Sequence, residues 1–523
     1  MKNNKKIPKN RLLTRFNTIL KQIARFILSR YFITLVIIVA ELYLAEHLLY
    51  IIVENMLITT TAVFGLFVLG FIHLVNRETN PEYKVTWLAV MMIPFAGVLI
   101  YFLFFERKLS RKESALLMDI KEELLSLDDT EAVFVAEEHY GILHALLADD
   151  PMARPYRNTE SRFFLSGEEY FESLISDIRS AGKFIFLEYF IIEKGELWER
   201  IHKELLIKAA LGLDVRVLYD DIGCMQTLPS YYEHQLRAEG ISAYRFGRVT
   251  PRLSSVHNNR DHRKIAVIDG AIGYTGGVNI ADEYANIKEK FGHWKDGGIR
   301  IQGDGALGLT RLFLSSWDYT AGSISDYTGL FSNVATSHRD GGIYVPFGSG
   351  PKPIYEEKVG KNLFLNIINR ASRTVFITTP YLIVDYELTE ALCKAARRGV
   401  KVRIVTPGVA DKKIIKIMTK SSYPHLMRSG VEIYEYLPGF IHEKTLISDD
   451  KYLVAGTVNL DYRSLMHHFE DGVLIIDSPV IGEAGAAFLQ TLEKSDLQDI
   501  EEAKLNIIEW TLRNIIRIFA PLL

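Results

Sequence analysis

A chain of 523 residues is long enough for two or three domains, and its 48% apolar content supplies packed cores and a membrane segment together. Sixty-one basic against 64 acidic residues leave a net charge of −3, so there is no global basic excess for tracking nucleic-acid phosphates, and a nucleic-acid partner is not expected. The two cysteines, Cys224 and Cys393, suggest neither a metal clip nor a disulfide framework.

The chain opens on an arm, residues 1–30, with nine basic residues: Lys2, Lys5, Lys6, Lys9, Arg11, Arg15, Lys21, Arg25 and Arg30. From Tyr31 to Asn76 there is no lysine or arginine, and Glu54-Asn55 divides this run into two stretches, 31–53 and 57–75, each near the length that spans hydrocarbon. No small-residue cleavage site closes the first stretch, so it reads as a transmembrane helix rather than a signal peptide. Glu41, Glu46 and His47 within it should face the partner helix or lie shallow. A third apolar segment, 85–105, is interrupted by Pro94-Phe95-Ala96-Gly97 and either crosses or turns back. Basic residues flank the first span, the loop at Arg77–Lys84 and the far end of this segment at Arg107, Lys108, Arg111 and Lys112. The positive-inside rule then favours a re-entrant third segment in a multi-pass membrane region, 31–112, with cytoplasmic catalytic units.

A connecting segment, 113–154, leads to two α/β units, 155–335 and 336–500. Phe184 to Tyr219 reads strand, helix, strand, and Val375 to Thr406 repeats it, with Gly212 and Gly399 as helix stops in matching places. The expected fold is therefore a mixed, largely buried sheet with helices on both faces in each unit. The polar stretch Thr320–Pro353 is the candidate connection, and its Gly341-Gly342 and Gly348-Ser349-Gly350-Pro351 runs read as linker rather than phosphate cradle. At the end, 501–523, Leu505, Ile508, Leu512, Ile515 and Phe519 recur at helical spacing, giving an amphipathic helix that either lies on a membrane or packs on the second unit.

The chemistry is carried by a pattern that occurs twice. His262-Arg263-Lys264 with Asp269, and His442-Glu443-Lys444 with Asp449, each read H-x-K-x4-D. Each is followed, 17 residues after its histidine, by an asparagine behind a small-residue turn: Gly276-Gly277-Val278-Asn279 and Gly456-Thr457-Val458-Asn459. One copy is a weak signal; two with matched tails are not an accident. The apolar runs after the lysines read as buried strands ending in turns, so residues i and i+2 place imidazole and ammonium on one face, with Arg263 and Glu443 opposite. That grouping suits a phosphoryl centre. Neutral imidazole attacks phosphorus or carries a proton, and ammonium and amide groups neutralise the non-bridging oxygens, with no metal or other cofactor required.

These residues resemble the phospholipase D superfamily, whose members pair two such half-sites across a pseudo-two-fold axis, and within it the bacterial cardiolipin synthases. Asn258–Lys264, Gly276–Tyr284, Gly292–Asp296 and Tyr436–Lys444, with the hydrophobic N-terminus, all look like that family's motifs, and the likeness covers nearly the whole chain. Cys224 stands where a small polar residue is expected, and Thr457 replaces a serine or glycine. The resemblance implies two phospholipase-D-like α/β sandwich units behind N-terminal transmembrane helices, and transfer of a phosphatidyl group between two phosphatidylglycerol molecules, giving cardiolipin and glycerol. It implies His262 as nucleophile and His442 as general acid and base, with Lys264, Lys444, Asn279 and Asn459 holding phosphate. Asp296 and Glu470, 34 and 28 residues after the two histidines, match the carboxylates that orient them. Asp269 and Asp449 belong to the written motif, yet seven residues down the strand they are as readily structural as catalytic. Phosphatidylglycerol, other anionic phospholipids and the membrane are the expected partners. A phospholipase-D-type hydrolase, or transfer to water or another alcohol, is the alternative.

Other residues carry weaker readings. Glu188-Tyr189 and Pro380-Tyr381 follow strand-like runs and either line a substrate pocket or pack a loop. His467-His468, His202 and His47 have no partner pattern and read as structural.

Overall fold

The computed structural model describes residues 56–523 apart from 79, 94–95, 105–110, 128–132, 134, 249–258, 332–339, 353, 501–506 and 523, together with Val39 and Tyr43. The basic arm, the span 31–53, the Glu54-Asn55 break, Pro94-Phe95, Arg107 and Lys108 lie outside the described residues. The chain divides into two compact units, one holding the apolar helices and the other Asn80–Thr86 with nearly everything after residue 106.

In the first unit the expected span at 57–75 is a helix, Met56–Arg77, whose 22 residues reach about 33 Å. Its stretch Thr60–Arg77 is the one among the described residues that is long and apolar enough to cross a membrane. The segment 85–105 is not one helix. It forms Pro81–Met91 and Ala96–Phe104, 11 and 9 residues long, each too short for a bilayer core of about 30 Å. Gly97 lies so close to Met91 and Val90 that an added Cβ would stand 2.0 Å from the Val90 carbonyl oxygen, so glycine is what permits the fold-back. The returning helix packs on the long one, with Tyr101 Oη 2.9 Å from His73 Nδ1 and the Trp87 ring edge-on to Tyr101.

The second unit holds two sheets of the same design. The first comprises β1 (Thr159–Phe164), β2 (Phe184–Tyr189), β3 (Asp214–Asp220), β4 (Ser242–Phe246), β5 (Lys264–Ile268), β6 (Ile272–Gly276) and β7 (Gly298–Gly303), in spatial order β1-β7-β6-β5-β2-β3-β4. The second half adds β8 (Ile343–Ser349), β9 (Thr374–Thr378), β10 (Leu382–Ile383), β11 (Lys401–Pro407), β12 (Glu432–Tyr436), β13 (Thr445–Ser448), β14 (Tyr452–Gly456), β15 (Leu460–Asp461), β16 (Glu470–Ile476) and β17 (Ser495–Leu497). Its main sheet runs β8-β16-β14-β13-β9-β11-β12, which matches the first strand for strand, with β17 added at the edge; β10 pairs separately with β15. In each sheet three strands, β2-β3-β4 and β9-β11-β12, are parallel, as the helical crossovers between them require, and the other main-sheet strands pair antiparallel. The stops at Gly212 and Gly399 hold, both glycines being left-handed with φ of 88° and 91°.

One expectation needs correction. The glycine-rich stretch taken as linker contains β8, an edge strand that pairs along its length with β16. The connecting segment 113–154 also carries regular structure: helix Arg111–Ser126, with Ile120 and Leu124 buried, and helix Tyr140–Asp149. The C-terminal helix forms at Ile507–Ile518. The Ile518 carbonyl accepts a bond from Thr86 Oγ1 (2.6 Å) while Ile507 and Ile515 are exposed, so its end packs and part of its surface does not.

Candidate active site

The two motif copies meet because short extended segments of the halves bridge reciprocally. His262 N donates to the Phe469 carbonyl (2.8 Å) and Phe469 N to Arg260 (2.9 Å); His442 N donates to Lys295 (2.7 Å) and Lys295 N to Phe440 (2.9 Å). Each bridge carries a histidine of one half beside the carboxylate of the other. His262 Nδ1 lies 2.9 Å from Glu470 Oε2, and His442 Nδ1 2.7 Å from Asp296 Oδ2, each within hydrogen-bond distance. The orienting carboxylates are thus exchanged between halves, which sequence distance from a histidine does not reveal.

The strand reading of the motif holds. β5 and β13 begin at or just after the lysines, and both ammoniums turn back to the backbone carbonyl of their own histidine, Lys264 Nζ to His262 O at 2.8 Å and Lys444 Nζ to His442 O. Arg263 and Glu443 point the other way: Arg263 bonds Ser316 Oγ (2.7 Å) and Tyr355 Oη (2.8 Å), and Glu443 pairs with Lys295 (2.7 Å).

Asp269 and Asp449 are not brought to this centre. They sit at the far strand ends in left-handed backbone, φ 56° and 54°. The Asp269 carboxylate accepts the amides of Gly182, Lys183 and Phe184 at 2.7–2.9 Å, and Asp449 those of Ser372, Arg373 and Thr374 at 2.7–2.8 Å. Each clamps the turn that starts β2 or β9.

The asparagines differ. Asn279 is committed, its Oδ1 accepting from Ile191 N (3.0 Å) and its Nδ2 donating to Tyr284 Oη (2.8 Å). Asn459 Oδ1 is buried with no hydrogen-bond partner. Gly277 stands where a Cβ would be 2.1 Å from Asp296 Oδ1, whereas Thr457, its counterpart, uses its hydroxyl on the Asp471 backbone. Cys224 is buried, its sulfur accepting from Ile192 N at 3.1 Å. Glu188 and Tyr189 are fully buried rather than lining an open pocket, and Tyr381 Oη donates to Asp411 Oδ2 (2.7 Å).

Burial dominates the electrostatics. It drives His262 well below the usual imidazole range and His442 to about 4, helped by the neighbouring ammoniums. It lowers Lys264 to about 8 and Lys444 to about 7, against the pull of nearby carboxylates. The two carboxyls diverge: burial pushes Glu470 well above the usual range, while at Asp296 burial is outweighed by Lys444 and His442, leaving it below. At neutral pH each imidazole is therefore neutral, and a proton held at Nδ1 against the facing carboxyl oxygen leaves the Nε2 lone pair free to attack phosphorus or accept a proton.

Sequence reasoning missed the walls. Phe190 is edge-on to His262 at 5.1 Å, and Tyr284, Trp294 and Phe440 surround His442 at 5.5–5.8 Å. It also set aside His468, whose buried ring lies 5.4 Å from that of His262. His468 lies in the bend between helix Tyr462–Met466 and β16, which sequence spacing does not reveal. Its neighbour His467 does have a packing role, its Nε2 lying 2.6 Å from Tyr83 Oη.

A sequence model described as "Cardiolipin synthase, PLD-like domain" matches residues 174–289 and 364–492, one match in each half. A model described as "Phospholipase_D-nuclease N-terminal" matches 65–104. A cardiolipin synthase of Geobacillus thermodenitrificans is 34% identical over 432 residues, covering 80% of this chain and 83% of that one. An uncharacterized protein of Streptococcus mutans is 42% identical over 346 residues, 65% of this chain and 73% of its own. The crystal structure of a phosphatidylserine synthase from Haemophilus influenzae has the same fold, with a TM-score of 0.56 at 16% identity over 78% of this chain and 98% of that one.

Proposed function

The chain belongs to the cardiolipin synthase family of the phospholipase D superfamily, and from that premise we propose that it joins two phosphatidylglycerol molecules into cardiolipin and glycerol. The observation that carries this reading is the pair of exchanged imidazole–carboxyl contacts, His262–Glu470 and His442–Asp296, flanked by two buried lysines.

In the first step His262 Nε2 attacks phosphorus, the bond from phosphorus to the glycerol oxygen breaks, and that oxygen takes a proton from His442. The incoming phosphodiester anion favours the charged forms of His442 and both lysines, so the proton donor is formed as substrate binds. In the second step neutral His442 takes the proton from a hydroxyl of another phosphatidylglycerol, whose oxygen attacks phosphorus and expels His262. An ionised Asp296 stabilises the imidazolium that His442 must become, which supports His442 rather than His262 as proton carrier. Lys264, Lys444 and the NH₂ group of Asn459 hold the phosphate oxygens. The aromatic rings around both imidazoles favour a lipid alcohol over water as acceptor.

We assign the chain to the cell membrane as a multi-pass protein with cytoplasmic catalytic units. This rests on the length and apolarity of Met56–Arg77, the fold-back of 81–104, and the basic flanks in the sequence. Supplying the purified protein with labelled phosphatidylglycerol tests the activity. Labelled cardiolipin with equimolar glycerol is expected; phosphatidic acid as the main product would instead mean that water is the acceptor.

A further inference from the structure

We propose that His262, His468 and Glu470 form a binding site for a borderline divalent cation such as Zn²⁺, which occupies the attacking histidine and reversibly switches the enzyme off. One nitrogen from each imidazole and one carboxylate oxygen lie within 4.8 Å of one another, all three residues buried. Donors on a tetrahedral Zn²⁺ stand about 3.4 Å apart, given metal–donor distances of about 2.1 Å, so side-chain rotations that close the triangle by at most about 1.4 Å complete the site.

Three features make this a built site rather than a chance grouping. His468 is 8% exposed, and its Nε2 is buried with no hydrogen-bond partner, an orphan in a centre where every other imidazole has one assigned contact. His468 Nδ1 stands 3.8 Å from Glu470 Oε1, too far for a hydrogen bond, so the ring is beside the carboxylate without being engaged by it. The backbone is held: His262 N to Phe469 O and Phe469 N to Arg260 O tie the two donor-bearing segments into one short ladder. Two imidazoles and a carboxylate are the donor set that suits Zn²⁺ over Mg²⁺ or Ca²⁺, and three protein ligands leave a coordination position open. The Lys264 ammonium on the same face opposes a cation, which weakens the site and suits a reversible brake rather than a structural metal.

Binding stands on geometry alone; the switching-off rests on the phosphatidyltransfer reading, in which His262 attacks. The test uses full-length, chelator-stripped protein in detergent. Zn²⁺ should abolish cardiolipin formation and excess chelator restore it, and Co²⁺ in its place should give the visible absorption of a low-coordinate N/O site. His468→Asn should remove that absorption and raise the half-inhibiting Zn²⁺ concentration about tenfold or more, whatever its own basal rate. His467→Asn, altering the adjacent imidazole, should leave the inhibiting concentration where it was. His468→Gln serves if the asparagine variant does not fold. Equal Zn²⁺ sensitivity in wild type and a folded His468 variant, or no Co²⁺ spectrum in the wild type, overturns the proposal. Stripped protein that makes no cardiolipin but still gives the Co²⁺ spectrum would refute the enzymatic reading and leave the metal site standing.

Discussion

Replacing Asp296 by asparagine should separate the two histidines' roles. The carboxylate's two oxygens have different tasks, Oδ1 accepting from Gly297 N (2.9 Å) and Oδ2 from His442 Nδ1 (2.7 Å). An amide can satisfy Gly297 only with its oxygen, so its NH₂ group faces His442 and forces the imidazole to accept at Nδ1 and carry its proton at Nε2. That tautomer cannot take a proton from the incoming alcohol, and no anion remains to stabilise imidazolium. By analogy with triads in which the orienting aspartate is made neutral, the loss of turnover with phosphatidylglycerol should be about 10³-fold, or about 4 kcal/mol of barrier. A phosphatidyl ester of 4-nitrophenol needs no protonation of its leaving group, so with this substrate the variant should still show a nitrophenolate burst near one per enzyme, reduced about tenfold or less in rate. Glu470→Gln, which disturbs the attacking His262, should lose the burst as well. Equal losses on both substrates for Asp296→Asn, or a burst that survives in Glu470→Gln and not in Asp296→Asn, would refute the assignment.

The ammoniums must be charged to hold phosphate, and burial sets Lys444 to about 7 and Lys264 to about 8, so kcat/KM should fall as pH rises through 7–8. On the acid side His442 protonates only near 4 and in that form is the donor of the first step, so no fall is expected down to that pH; a profile flat to pH 9 would contradict the lysine assignment. Asp269→Ala or Asp449→Ala removes the acceptor of three turn amides and should cost about 2 kcal/mol of stability or more, read as a lower Tm in detergent. The rate per folded molecule should stay within about threefold if these carboxylates touch no substrate. For topology, with Cys224 and Cys393 replaced by serine, single cysteines at Asn55, Thr79 and Ser110 meet a membrane-impermeant thiol reagent on intact cells. Labelling at 55 alone is expected, and labelling at 110 would put the catalytic units outside.

What the sequence made legible followed the two periodicities that backbone geometry enforces. The His and Lys of each copy share a face because strands alternate, and the matched helix stops at Gly212 and Gly399 marked the duplication before any sheet was visible. Where reading failed, the deciding contact was non-local. Gly348 looks like linker because glycine punctuates loops, yet it pairs with Asp471 inside β8, and it is glycine because Tyr355 Oη occupies the space a Cβ would need, 2.0 Å away. Asp269 and Asp449 have the spacing of a catalytic motif and the job of a turn clamp, and only the amides they bind tell the two apart.

The exchange of carboxylates has a consequence for the duplication itself. Either half taken alone contains a histidine, a lysine and an asparagine in the right order, and so looks like a complete half-site. Yet His262 without Glu470, or His442 without Asp296, is a buried imidazole whose Nδ1 proton has no acceptor, and nothing then fixes which nitrogen carries the lone pair. Each copy of the motif orients the other. The bridges at Phe469 and Lys295 that join the halves are for this reason part of the chemistry as much as of the fold, since they deliver the carboxyl groups within 3 Å of the imidazoles they set.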